Sequence, residues 1–191
     1  MKGLISKFLL WLAGWTVQGT YSEDLKECVI VVAPHTSNWD FVWGILARIV
    51  YGLKARYLIK HTLFKPGIGW FFRWTGGIPV DRSQNNNLID LLKKHLAEEE
   101  YLQLVFTPEG TRSWVECWKR GFYWVAHESS LPVVMHSIDF KLKLITMNEP
   151  FYTTGNWDED IKAFEEFYAD KTGGNPENFN PSFNPIEKSE N

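Results

Sequence analysis

The chain has 191 residues, 45% hydrophobic and 23% charged, and its 20 basic against 23 acidic side chains leave a formal charge of −3. That length suits one core with at most a helical appendage, and the mix excludes wholesale disorder, a collagen-like chain and a generally basic nucleic-acid binder. Two cysteines, Cys28 and Cys117, are too few for a disulfide scaffold or a four-cysteine zinc site.

Residues 1–18 read MKGLISKFLLWLAGWTVQ. The apolar run at 8–13 is short of the roughly 20 residues a spanning helix needs. Lys2 and Lys7 give a positive start, but Trp15 stands where a small-residue cleavage site would follow. Two readings remain for this segment. One is an amphipathic helix in a membrane interface, with Lys2, Ser6 and Lys7 as polar anchors and Phe8, Trp11 and Trp15 below the headgroups. The other is a helix docked on the protein's own core, and partial docking satisfies both. Aromatic residues make up 16% of the chain, ten of them tryptophan, which suits either a lipid-facing surface or a Trp-rich core.

Residues 28–33 (CVIVVA) form a continuous apolar run, the pattern of a strand buried on both faces. Residues 102–106, 132–138 and 142–147 read as further strands. Helices are expected at 41–51, at 122–128, and around Leu88, Leu91, Leu92 and Leu96, which share one helical face. A last amphipathic helix at 157–170 turns Ile161, Phe164 and Phe167 inward. Strands alternating with helices predict an α/β fold with a mostly parallel central sheet flanked by helices. The expected organisation is an N-terminal amphipathic helix at 1–18, one domain at 19–172, and an extended or disordered tail at 173–191, rich in Asn, Pro and Gly.

Three segments could carry chemistry. The strand at 28–33 runs into His35, with Asp40 five residues on, across a turn into a helix. That is where α/β sheets place their sites, and the spacing lets the carboxylate reach one imidazole nitrogen, freeing the other as a general base. Ser37 and Asp40 also fit a capping box, in which Asp40 merely serves helix amides. The strand at 102–106 runs into Thr107-Pro108-Glu109-Gly110-Thr111-Arg112-Ser113. Its tight turn offers Glu109 as an acceptor and Arg112 as a planar fork for phosphate or carboxylate, unless the pair is an ordinary surface one. The third segment, 76–82, ends in Asp81-Arg82, with Arg82 a further anion clamp or half of a surface ion pair. Lys60 and Lys65 lie between and either line an anionic path or are solvated loop lysines. No GxSxG elbow, phosphate-binding glycine loop or HExxH spacing occurs.

Taken in order, these segments resemble the glycerophospholipid acyltransferase family, including the 1-acylglycerol-3-phosphate acyltransferases. His35 to Asp40 matches that family's His-x4-Asp block, Gly77 to Arg82 its Gly-x-x-x-Asp/Asn-Arg block, and Thr107 to Ser113 its Phe-Pro-Glu-Gly-Thr-Arg-Ser block, with Thr in the leading place. Lys119-Arg120-Gly121-Phe122 fits a following Lys-x-Gly segment. The fourth block, aligned with 131–136, keeps Pro132 but has Met135 where a second proline usually stands.

The resemblance implies transfer of a fatty acyl group from a thioester of coenzyme A or acyl carrier protein to a hydroxyl of a lysophospholipid or glycerol-phosphate-type acceptor. It implies no metal and no other cofactor. His35 is then the base, oriented by Asp40. Arg82 and Arg112 bind the acceptor's phosphate, Glu109, Gly110 and Thr111 shape its glycerol pocket, and Lys60, Lys65 and Lys119 are candidates for an anion path. The expected setting is peripheral, on a phospholipid bilayer at the cytoplasmic face of the cell membrane, without nucleic acid. The alternatives are a non-phosphoglyceride hydroxylated acceptor such as an amino-acid lipid, a thioester hydrolase, and a non-catalytic lipid-binding module.

Overall fold

The computed structural model describes residues 2–19, 21–22, 25–80 and 101–183. In chain order these form helix α1 (Lys2–Leu12), strand β1 (Thr16–Gln18), β2 (Glu27–Ala33), α2 (Trp39–Tyr51), β3 (Arg56–Lys60), α3 (Gly69–Trp74) and β4 (Gly77–Val80). Then follow β5 (Leu102–Phe106), α4 (Gly121–Glu128), β6 (Val133–Asp139), β7 (Leu144–Met147) and α5 (Trp157–Tyr168).

The strands make one sheet in the order β1-β7-β6-β2-β5-β3-β4. Every neighbouring pair is parallel except β6 with β7. The expected mostly parallel α/β architecture is what the chain adopts. Strand β2 lies at its centre because its side chains are apolar on both faces. Val29, Val31 and Ala33 enter the core under α4 and α5, with Phe122, Val125 and Phe164. Cys28 and Ile30 enter the opposite side with Leu53 and Val134. Each such valine or isoleucine removed from water stabilises the fold by about 1.5–3 kcal/mol. Helix α2 lies on that opposite side, where Ala47 packs with Leu10, Ile138 and Ile145.

From β2 the chain crosses by α2 to β3, skipping over β5; from β5 it crosses by α4 to β6, back over β2. The strand order therefore reverses beside β2 and β5. These two strands are parallel, with Val31 opposite Phe106, so the loops leaving them emerge side by side at the carboxyl edge, the usual place for a site in such sheets.

Four expectations need correction or refinement. The N-terminal helix stops at Leu12, and residues 16–18 form an edge strand on β7 instead of continuing it. Trp15, expected among lipid headgroups, is buried against Trp43 and Phe140, at 5.0 and 5.2 Å between ring centroids. Ser6, expected as a polar anchor, is buried with Leu10 on the inner side of α1. Of the two expectations for the tail, extended or disordered, the second fails: residues 173–183 have no helix or strand beyond a short 3-10 turn at Pro176–Asn178, yet they are packed on the protein. A few anchors suffice, because Phe183 is fully buried 4.2 Å from the Trp118 ring and the Asn180 side chain donates to the carbonyls of Val115 and Glu116. The expected helix at 88–96 lies outside the described residues, as do 184–191.

Candidate active site

His35 sits just past β2, and its Nδ1 lies 3.3 Å from Asp40 Oδ2. The imidazole keeps 19% of its exposure, whereas the carboxylate keeps 2%. Asp40 Oδ2 also accepts the Ser37 backbone N–H at 2.8 Å. The capping and imidazole-orienting readings are therefore not rivals: one oxygen does both, fixing the turn and the ring together. A buried carboxylate on Nδ1 favours the tautomer that leaves Nε2 to meet substrate.

Glu109 lies behind this pair. Its Oε1 accepts the backbone N–H of His35 at 2.8 Å, and the residue is almost fully buried. It does not line the cavity described below, so it braces the His35 loop where a wall of the glycerol pocket was expected. Burial pushes its carboxyl up to about 7, aided by the nearby Asp40 charge and opposed by the hydrogen bond from His35. Among the described residues, Glu109 Oε2 and Asp40 Oδ1 have no hydrogen-bond partner.

The loop after β5 supplies the outer groups. Gly110 has φ of +68°, and a Cβ there would come within 2.8 Å of Lys119 Nζ. Glycine thus lets the ammonium pack over the turn. The Lys119 backbone N–H holds the Pro108 carbonyl at 2.9 Å. Arg112 Nε donates to the Ser37 carbonyl at 3.2 Å, which ties this loop to the His35 loop. Thr111 accepts the Ser113 N–H.

His35, Gly110, Thr111, Arg112 and Lys119 all line a cavity of about 1180 Å³. Its walls are largely apolar, built from Ile30, Val32, Phe41, Ile45, Leu58 and Phe72. Lys60 and Lys65 are exposed and do not line it, and Arg82 lies outside the described residues. The structure thus gathers six of the ten expected residues at one place, counting Asp40, which also lines the cavity. Glu109 stands behind them.

Two cavity residues were not singled out from the sequence. Arg48 donates through Nε to the Leu53 carbonyl and through a second nitrogen to the Thr75 carbonyl. Burial lowers its pKa, with the like charge of Arg56 acting the same way. His136 is buried with an unpartnered Nδ1 among the described residues, and burial pushes its pKa down to about 4. Neither has a motif, since each reaches the cavity only through the packing of α2 and β6. The fourth-block departure has a local account: the Met135 N–H donates to Asn148 Oδ1, a bond that a proline could not make.

A family model described as acyltransferase matches residues 15–139. The chain is 29% identical over 138 residues to a 1-acyl-sn-glycerol-3-phosphate acyltransferase of Limnanthes alba, covering 69% of this chain and 48% of that protein. A Saccharomyces cerevisiae protein of the same name is 30% identical over 132 residues, covering 64% of this chain and 43% of its own. The chain spans about half the length of these curated relatives. A lysophosphatidylcholine acyltransferase 2 of Rattus norvegicus is 30% identical over 100 residues, half of this chain and 18% of that one. The crystal structure of the 1-acyl-sn-glycerophosphate acyltransferase PlsC from Thermotoga maritima aligns with a TM-score of 0.55 at 20% identity. It covers 87% of this chain and 74% of that one, a likeness of fold.

Proposed function

The chain belongs to the acyltransferase family, and from that premise we propose that it moves a fatty acyl group from a thioester to the hydroxyl of a lysophospholipid or glycerol-phosphate-type acceptor. The observation that carries this reading is the His35 Nδ1–Asp40 Oδ2 contact at 3.3 Å, in a largely apolar cavity that Arg112 and Lys119 also line. His35 Nε2 takes the acceptor's hydroxyl proton as the oxygen attacks the thioester carbonyl. The tetrahedral intermediate collapses, the C–S bond breaks, and the imidazolium returns the proton to the departing thiolate. Asp40 stabilises the imidazolium between these steps. General-base help of this kind is worth about 10²–10⁴-fold, and positioning supplies much of the rest.

Arg112 and Lys119 are the cations nearest to hand for the acceptor's phosphate, with Arg82 proposed as a third. Guanidinium suits a phosphate because its fork is planar and always charged. The apolar walls suit the acyl chain. The donor is proposed to be acyl-CoA or acyl-acyl carrier protein, with no metal or further cofactor in the reaction.

The substrates are lipids, and α1 supports a bilayer as partner. It exposes Leu4, Ile5, Phe8, Leu9, Trp11 and Leu12, with Trp11 71% exposed, beside exposed Lys2 and Lys7. Among the described residues no helix is long and apolar enough to cross a membrane. An apolar strip flanked by lysines suits lying on an anionic leaflet, as at the cytoplasmic face.

The test is labelled palmitoyl-CoA, or the same chain on acyl carrier protein, offered with lysophosphatidate, lysophosphatidylcholine, glycerol 3-phosphate, a hydroxylated amino-acid lipid, or no acceptor. Acylated lysophosphatidate or glycerol phosphate is expected. Free fatty acid alone would make the protein a hydrolase, product only with the amino-acid lipid would move the acceptor class, and bound lipid without turnover would make it a binding module.

A further inference from the structure

The family match ends at residue 139, yet residues 173–183 reach back to both loops of the site. Thr36 follows His35 directly and is 2% exposed. Its hydroxyl and its carbonyl are both met by one residue 139 positions away: the Asn175 backbone N–H donates to Thr36 Oγ1 at 3.0 Å, and Asn175 Nδ2 donates to the Thr36 carbonyl at 2.6 Å. The approach depends on two glycines. A Cβ on Gly173 would fall on the Thr36 hydroxyl, and one on Gly174 would come within 2.7 Å of Ser37 Cβ. Five residues further on, the Asn180 side chain donates to the Val115 and Glu116 carbonyls at 3.1 and 2.7 Å, and the Trp118 indole donates back to the Asn180 carbonyl. One strand of chain therefore grips the His35 loop at Thr36 and the loop after β5 at 115–118.

Thr36 lies between the two groups that set the catalytic geometry. On one side is His35; on the other is Ser37, whose N–H bonds Asp40 Oδ2 and whose carbonyl takes Arg112 Nε. A shift at Thr36 changes the His35–Asp40 separation and the Arg112 tether together. We propose that residues 173–180 are a positioning clasp for the acyl-transfer site, with Asn175 a positioning residue that acts through Thr36 on His35. This inference rests on the acyl-transfer reading above, since it assigns the clasp a role in that chemistry.

The experiment uses the full chain with Asn175→Ala and Asn175→Asp, the latter keeping shape while losing the donor. Thr36→Val and Thr36→Ser are made alongside, alone and combined with Asn175→Ala. kcat and KM are measured on protein shown by circular dichroism to be folded at the assay temperature, and the His35 imidazole resonances are followed by ¹⁵N NMR. A misplacement well under 1 Å should lower kcat about tenfold with KM for the donor unchanged within about twofold. The His35 resonances should move in Asn175→Ala, in Thr36→Val and in the double variant, and Thr36→Ser should keep both readouts near those of the wild type. Wild-type kcat and unmoved resonances would overturn the clasp, as would a kcat loss without movement of the resonances. If His35→Ala itself retained turnover, the assignment of His35 as the base, on which the clasp's role in that chemistry rests, would fail, while the resonances would still decide whether Asn175 holds His35 in place.

Discussion

The carboxylate of Glu109 and the main-chain amide of His35 meet at 2.8 Å across 74 residues of sequence. The parallel register of β2 and β5, with Val31 opposite Phe106, brings them together at the sheet's edge. The imidazole therefore stands on a backbone held from behind, and a buried carboxyl near its own titration point does the holding.

That carboxyl gives stability a specific pH dependence. Its folded pKa is pushed from the ordinary 4.5 up to about 7. The folded state thus binds the proton more tightly than the unfolded chain between those values. The contribution is fully present below about 4.5 and is lost as pH rises through 7. At 1.36 kcal/mol per pKa unit the loss is about 3 kcal/mol. Glu109→Gln keeps an acceptor for the His35 amide but cannot ionise. Its unfolding free energy minus that of the wild type should be near zero at pH 4.5 and should rise to pH 7, then level off. His136, pushed down to about 4, works in the opposite direction and cancels in the difference. Urea melts of both proteins across this range check the prediction; a difference independent of pH would contradict it.

Asp40 serves the turn and the imidazole through one oxygen. Asp40→Asn keeps a carbonyl for the Ser37 amide and loses the charge that stabilises the imidazolium. Turnover should fall by about 10²-fold while the melting temperature moves little. A variant with normal kcat and a lowered melting temperature would reduce Asp40 to a cap.

Arg112 is tethered by Nε to the His35 loop and lines the cavity. Arg112→Lys keeps charge but not the fork, and Arg112→Ala loses both. The alanine variant should raise KM for lysophosphatidate about tenfold, the size of a lost charged hydrogen bond, and the lysine variant should recover part of it. KM for an uncharged monoacylglycerol should stay put. An equal rise for both acceptors would remove the phosphate from the Arg112 site.

The apolar strip on α1 makes a prediction separate from catalysis. Burying Trp11 in an interface stabilises binding by about 3 kcal/mol, given its large exposed area. Phe8→Glu with Trp11→Glu should abolish co-sedimentation with vesicles containing phosphatidylglycerol. Turnover on substrate dispersed in detergent micelles should be kept. Undiminished vesicle binding would contradict a lipid role for this face.

The parts of the fold that read clearly from sequence are those buried on both faces. β2, β5 and β6 show as apolar runs because helices cover either side of them. β3 and α3 gave no such signal: the residues of β3 are only half-buried or exposed, and α3 is a six-residue apolar stretch with no room for periodicity. Trp15 and Ser6 were misjudged because amphipathic spacing says which residues share a face, not which face meets the core. The packing of residues 173–183 does not show in their composition, which is that of a loose tail, because their order comes from Asn175, Asn180 and Phe183, each held by a partner distant in sequence. In the site, the His35–Asp40 pair was legible because both residues lie on one turn. The bracing role of Glu109 was not, because it exists only through the pairing of β2 with β5.

The most direct measurement is single-turnover transfer by His35→Ala, from palmitoyl-CoA to lysophosphatidate, on protein that melts like the wild type. With the base gone and the cavity intact, both substrates should still bind and the rate of transfer should fall by about 10²–10⁴-fold. Transfer at close to the wild-type rate would contradict the account at its centre.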